Sequence, residues 1–137
     1  MLNYHEVTTA DAGFLYDLLN ERPDYANISH KALPQWLDHL KFVAGRPYKR
    51  WLVATRGDVK IGAAYVTNND EIGIAIKKEH QGKGYGKQIV QHFIYNHGVR
   101  YANIAPNNKA SRKLFEKMGF KLIQEVYVLD SQNASSP

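Results

Sequence analysis

The sequence contains no cysteine and only two methionines among its 137 residues. Without a thiol there is no disulfide framework, no thiolate zinc site and no cysteine nucleophile. No apolar run approaches the roughly 18 residues that a membrane-spanning helix needs, so no membrane is expected as a partner. The start, MLNYHEVTTADAG, has no basic stretch leading into an apolar one. A signal peptide is therefore not expected, and the cytoplasm is the default compartment. Acidic residues are scarce in one half. Residues 77–121 hold ten Lys/Arg against Glu79 and Glu116, a local charge of +8, while the rest of the chain carries −3. A basic block of that kind suits a bound polyanion as well as a solvated surface.

What is present is a chain of single-domain size, 44% hydrophobic and 23% charged, long enough for its own core. Residues 1–130 are expected to form one domain, and residues 131–137 (Ser-Gln-Asn-Ala-Ser-Ser-Pro) a disordered tail. Residues 2–7 alternate as an edge strand does. Thr8 or Thr9 can cap a helix with Ala12, Leu15, Leu18 and Leu19 on one face, broken at Arg22-Pro23-Asp24. Ser29 can open a second helix with a stripe of Ala32, Trp36, Leu37 and Leu40; Pro34 fits only its first turn.

The period then changes to two. Residues 50–55, 59–67 and 71–76 read as strands joined by turns at Arg56-Gly57-Asp58 and Asn68-Asn69-Asp70. A glycine-rich loop follows, then a helix with Tyr85, Ile89, Val90, Phe93 and Ile94 on one face. Residues 100–105 read as a strand, and Asn108 as the cap of a last helix with Leu114, Phe115 and Met118, closed by Gly119. Residues 120–129 are expected to be a final strand. The helix between the strands at 71–76 and 100–105 makes one parallel βαβ crossover. The expected class is α/β (α+β): a mixed, mostly antiparallel sheet with helices on both faces.

The loop carries chemistry. Gly82, Gly84 and Gly86 alternate between an apolar strand and an amphipathic helix, beside Lys83 and Lys87. Backbone N–H groups at a helix start, with no Cβ in the way, form an anion cradle. The P-loop spacing and its Ser/Thr are missing, since Gln88 follows Lys87, and the dinucleotide fingerprint fails because the third glycine comes one residue early.

Two segments carry a resemblance. Gln81-Gly-Lys-Gly84-Tyr-Gly86 resembles the Q/R-x-x-G-x-G/A pyrophosphate loop of the GNAT N-acetyltransferase superfamily. Asn108-Lys-Ala-Ser111-Arg-Lys-Leu-Phe115-Glu-Lys-Met-Gly119-Phe120 resembles that superfamily's N-x-x-A/S…Y-x-x-x-G-F segment. The order of elements is also similar. The resemblance implies acetyl transfer from acetyl-CoA, as co-substrate and without a metal, to a primary amine: a small molecule, an amino sugar or a protein N-terminus. It assigns acetyl-CoA to Ile74, Ile76, Gln81, Gly82, Lys83, Gly84, Tyr85, Gly86, Lys87, Asn108 and Phe115. It puts a backbone N–H near Ile76 at the thioester oxygen. An alkylammonium, pKa ~10.4, must lose a proton before it attacks. Glu71 and Asp70 are the carboxylates nearest the right place, Glu71 preferred, with His80 a further candidate base.

Two departures stand out. The family usually has tyrosine, a general acid, where this chain has Phe115; Tyr85, Tyr101, Tyr127 or water could act instead. The family also usually has two strands after the Gly-Phe pair, and only 17 residues follow Phe120. A second copy of the chain is therefore a candidate partner. Residues 23–50, the acceptor side by resemblance, contain Asp24, Tyr25, His30, Trp36, Asp38, His39, Tyr48 and Arg50. Two other readings stand beside an active enzyme. One is an acyl-CoA-binding module without catalysis, argued from Phe115. The other is a nucleic-acid-binding domain, argued from the basic block.

Overall fold

The computed structural model describes residues 1–22 and 33–129. The expected cap at Ser29, the stripe residue Ala32, the acceptor-side Asp24, Tyr25 and His30, and the tail at 131–137 lie outside the described residues. Alternation of small and β-branched residues builds a five-stranded sheet in sequence order: β1 (Asn3–Glu6), β2 (Arg50–Arg56), β3 (Val59–Val66), β4 (Glu71–Ile76) and β5 (Tyr101–Ala102). The first four pair antiparallel, and β5 joins β4 in parallel through the one crossover.

Side-chain parity splits the core in two. One face of the sheet sends Leu52, Ala54, Ile61, Ala64, Val66 and Ile72 against α3 (Tyr85–Asn96) and Phe115 of α4 (Lys109–Lys117). The other sends Ala63 and Ala75, with Trp51, against Ala12, Leu15 and Leu18 of α1 (Ala12–Glu21) and Val43 of α2 (Trp36–Ala44). Helices thus cover both faces, as expected. Asp11, 3% exposed, ties the start of α1 to the sheet. Burial alone would raise its pKa, but bonds from the Thr8 N–H, Lys60 and His5 together hold it below the ordinary value.

Three expectations are corrected. Residues 120–129 are not a strand: no described strand pairs with them, and Leu122, Ile123, Val126, Tyr127, Val128 and Leu129 are all exposed. Alternation is only half of a strand; the other half is a neighbour's free edge. The strand at 100–105 shrinks to Tyr101–Ala102, because β5 leaves β4 after two pairs. The stripe of α2 is also displaced. Trp36 and Leu37 are exposed, while His39 and Val43 are buried, because the His39 imidazole finds a polar partner in the core, its Nε2 donating to the Ala12 carbonyl at 2.9 Å. A histidine so satisfied is a core residue rather than a ligand.

Candidate active site

β4 is the axis of the site. Its ladder with β3 fixes which way each amide points. Thr67 N–H donates to the Glu71 carbonyl, and Lys77 N–H to the Ile61 carbonyl. The hydrogen-bonded pairs are therefore the odd-numbered residues of β4, and the amides of Ile72, Ile74 and Ile76 point away from β3. Ile72 meets β5, whose last bridge is Ile72 to Ala102. From Gly73 onward the strands splay. The N–H groups of Ile74 and Ile76 face the gap with no ladder partner in either neighbouring strand.

The strand then runs into the glycine loop. Gln81 Nε2 donates to the Ile76 carbonyl at 3.0 Å, so this side chain fastens the loop to the strand end. Gly82 and Gly84 have φ of +76° and +84°, and nothing lies within 4 Å of where a Cβ would stand. Left-handed backbone and open space together explain glycine at both positions. Gly86 differs: it lies in the first turn of α3, and a Cβ there would meet Leu114 Cδ2 at 3.4 Å, an ordinary contact. Gly84 caps α3 without a side-chain bond, so the first-turn N–H groups at 85–87 lack intrahelical partners. Exposed Lys83 and Lys87 flank them. A cavity of about 320 Å³ beside the loop is lined by Arg56, Val59, Ile61, His80, Lys83 and Tyr85. Tyr85 itself is buried, and its hydroxyl is engaged by Arg56 Nη1 at 3.0 Å. This end of the site offers cations and backbone donors to an anion.

The other end of β4 is built from side chains. Residues 68–70 form a three-residue hairpin loop whose last member, Asp70, has φ +64°. The Asp70 carboxylate pairs with Lys49, and its carbonyl receives the N–H of Arg100 and of Tyr101. Asp70 is thus occupied by the turn. Among the described residues the partners of Glu71 are neutral: Thr67 Oγ1 donates to Oε1 at 3.0 Å and Asn103 Nδ2 to Oε2 at 2.7 Å. Glu71 sits next to the splay, on the α1/α2 face. Glu21 forms an ion pair with Lys77 and accepts the Lys78 N–H at 2.8 Å, fixing the end of α1 to the far end of β4.

The last helix is capped as expected, Asn108 Oδ1 accepting from Ser111 N–H at 3.2 Å. Phe115 is 3% exposed and edge-on to Phe120, ring centroids 5.1 Å apart. Of the hydroxyls named as alternatives, Tyr127 lies on the exposed, unpaired segment, Tyr101 is partly exposed on β5, and Tyr85 is held by Arg56.

Sequence reasoning missed Thr67 and Asn103, which hold Glu71, and Tyr65, whose ring crosses over Gly73. A signal for Tyr65 was available: counting outward from the hairpin turn pairs Thr67 with Glu71 and so Tyr65 with Gly73. Among the described residues, no group of three or more His, Asp or Glu is placed to hold a metal ion, and no helix is long and apolar enough to cross a membrane.

Comparison with known proteins identifies the fold and the family. Residues 47–122 match the acetyltransferase (GNAT) domain model. An acetyltransferase from Thermus thermophilus superposes with a TM-score of 0.74 at 23% identity, covering 91% of this chain and 90% of that one. A putative acetyltransferase from Salmonella typhimurium, solved with its cofactor acetyl-CoA, gives 0.70 at 21% identity over 88% and 79%. The spermidine/spermine N-acetyltransferase of Vibrio cholerae gives 0.69 at 20% identity over 88% and 79%. No curated protein matches the chain. At such identities the structural likenesses speak for the fold, while the domain match spans more than half of the sequence. The chain belongs to the GNAT acetyltransferase family and is, as that family is, an acyltransferase.

Proposed function

We propose that the protein transfers the acetyl group of acetyl-CoA to a primary amine by direct attack in a ternary complex. The observation that carries this reading is the splay of β4 from β5, which begins at Gly73 and leaves the Ile74 and Ile76 amides facing a gap. Backbone donors fixed in advance on a developing oxyanion are among the strongest catalytic devices available without a charged side chain. The glycine loop lies at the end of the same strand, so a molecule with a pyrophosphate at the loop can lay its thioester in the splay.

The chemistry follows from the residues. The ammonium gives a proton to Glu71, directly or through water. The amine lone pair forms the N–C bond to the acetyl carbon, and negative charge collects on the oxygen at the amides. The nitrogen gives its second proton to water, the C–S bond breaks, and CoA leaves as a thiolate of pKa ~8.5, which needs little help to depart. Residues 77–121 supply the local charge for the CoA phosphates, through Lys83 and Lys87 at the loop. The second reading, an acyl-CoA-binding module, has one observation in its favour: Phe115 offers no hydroxyl. A nucleic-acid partner has no comparable observation.

Two measurements test the reading. Acetyl-CoA at ~100 times its Kd should stabilise the fold by about 2.7 kcal/mol in a thermal melt. Thiol release with an amine panel then separates enzyme from binding module: binding without release favours the module, and no melt shift at millimolar acetyl-CoA removes both. We also propose a second copy of the chain as partner, supported by the exposed apolar residues of 121–129. Sedimentation of the full chain beside a chain ending at Phe120 tests it, a dimer only in the former being expected.

A further inference from the structure

We propose that Tyr65 positions the acceptor: its phenol hydroxyl, standing over Gly73 at the mouth of the splay, takes hold of the acceptor nitrogen beside Glu71. This rests on the reading of the splay as the place of the thioester. The placement comes from register. Tyr65 pairs directly with Gly73 across the β3–β4 ladder, and both present the α1/α2 face, as Ala63 and Ala75 do one pair further along. The ring does not stand upright from its own strand but leans across β4. A Cβ built on Gly73 would lie 2.1 Å from Tyr65 Cζ and 2.3 Å from its hydroxyl oxygen. The hydroxyl end therefore occupies the position that any other residue at 73 would fill with its side chain. Gly73 is the first residue beyond the last β4–β5 bridge, and Glu71 is its neighbour on the same face.

The ring is held there. Tyr48 stacks on it, with centroids 3.8 Å apart and planes 8° from parallel, and Trp51 meets Tyr48 edge-on at 4.9 Å. Packing at this density fixes a ring plane, so the hydroxyl is aimed rather than free to search. Burial raises the Tyr65 pKa most; a hydrogen bond from the Tyr48 hydroxyl and the charge of Arg22 offset part of that, and the Glu71 carboxylate adds the smallest contribution, upward. The group at the mouth is thus a neutral phenol, able both to donate and to accept.

That suits one task. An incoming ammonium can donate one N–H to Glu71 and a second to the phenol oxygen. When Glu71 takes its proton, the remaining N–H bond to Tyr65 keeps the nitrogen in place, and the freed lone pair is directed at the acetyl carbon. The phenol itself gains and loses no proton. Tyr65 is a positioning residue, and holding a nucleophile at near-attack distance is a large part of what an enzyme contributes to a two-substrate reaction.

Tyr65→Phe isolates the hydroxyl, since it leaves the ring over Gly73; Tyr65→Leu removes the ring as well. Thiol release from acetyl-CoA is followed with spermidine, glucosamine and a peptide bearing a free N-terminal alanine, using whichever the native protein turns over fastest. For Tyr65→Phe we expect kcat/KM for the amine to fall at least tenfold, with the KM for acetyl-CoA unchanged and the melting temperature lowered only slightly by the lost Tyr48 bond. Tyr65→Leu should show the same loss and a lowered melting temperature. Tyr65→Phe kinetics within twofold of the native protein, with only Tyr65→Leu impaired, would make the residue a packing element and overturn the proposal. So would an equal rise in the KM for acetyl-CoA. If the native protein binds acetyl-CoA yet acetylates none of the three amines, the active-enzyme reading falls and this inference falls with it; if the melt does not shift, the splay is not the place of the thioester.

Discussion

The two ends of β4 are built by opposite means. At the glycine loop the working groups are backbone amides, the side chains stand aside, and two residues hold left-handed φ angles over open space. At the Glu71 end the working groups are side chains, half-buried and tied to one another by Thr67, Asn103 and the Tyr48–Tyr65 stack. Under the proposed function, the difference follows from the partners. A diphosphate is the same in every acetyl-CoA and can be met by invariant backbone geometry, whereas an acceptor has its own shape and must be met by chosen side chains. One strand carries both, so chemistry at its middle is referenced to both.

The largest expected effect breaks the side-chain end alone. Glu71→Gln keeps the shape, and its carbonyl oxygen can still accept from one of the two donors, but it cannot take a proton from an ammonium. A general base contributes typically 10²–10⁴-fold, so kcat should fall by about that factor while the acetyl-CoA-induced melt shift stays as it was. Asp70→Asn is the matching control. Asp70 serves the turn and Lys49, so its loss should cost stability rather than turnover. An equal fall in kcat from both variants would erase the distinction drawn between the carboxylates.

Gly73→Ala comes next and acts on the junction of the two ends. The new Cβ would stand 2.1 Å from the Tyr65 ring. The ring must move, and overpacking of this kind costs typically 1–3 kcal/mol. A melting temperature lowered by several degrees is expected, along with weaker use of the amine; acetyl-CoA binding at the distant loop should persist. An unchanged melting temperature would mean that the ring leaves Gly73 at no cost.

At the loop, Gly84→Ala should separate strain from binding. A left-handed φ of +84° costs an alanine about 1 kcal/mol, seen as a modest drop in the ligand-free melt. The added methyl group also enters the space an anion would use, so the acetyl-CoA-induced shift should shrink. Gly86→Ala should do the reverse in the ligand-free protein. It sits inside a helix at ordinary distance from Leu114, and the change should add up to about 1 kcal/mol. If Gly84→Ala left the acetyl-CoA shift intact, the loop would be a tight turn and no more.

How much was legible in the sequence divides along the same line. The loop could be read because a left-handed backbone at a helix start demands glycine, and that demand is local. Asn108 was legible for the same reason, since a helix cap is written within four residues. The antiparallel strands 50–76 and their turns came out nearly residue for residue, being joined by short turns. The pairing of Tyr65 with Gly73 could be counted from the turn, but the lean of its ring over the glycine could not, and Asn103 at Glu71 was hidden because it depends on a crossover of some thirty residues. Residues 120–129 misled because alternation states what a segment could pair with, not whether a partner is there.

The smallest expected effect concerns Phe115, which belongs to the core on the α3 side of the sheet. Its ring is 3% exposed and packed edge-on against Phe120. A hydroxyl added by Phe115→Tyr enters apolar surroundings, where an unpaired hydroxyl costs roughly 1–3 kcal/mol by the record of buried polar substitutions. The melting temperature should fall by a few degrees. Catalysis has little to gain, because a thiol of pKa ~8.5 leaves without a strong acid. The kcat should therefore change by less than about tenfold, or ~1.4 kcal/mol of barrier, with the acetyl-CoA melt shift preserved. Steady-state kinetics of both proteins with the same amine decide the matter. A thousandfold gain would show that the native chain lacks an acid it needs, and would move the balance toward the acyl-CoA-binding reading. A small change would mean that the departing thiolate does not depend on residue 115, as expected if transfer is governed, as proposed, by the Ile74 and Ile76 amides and Glu71.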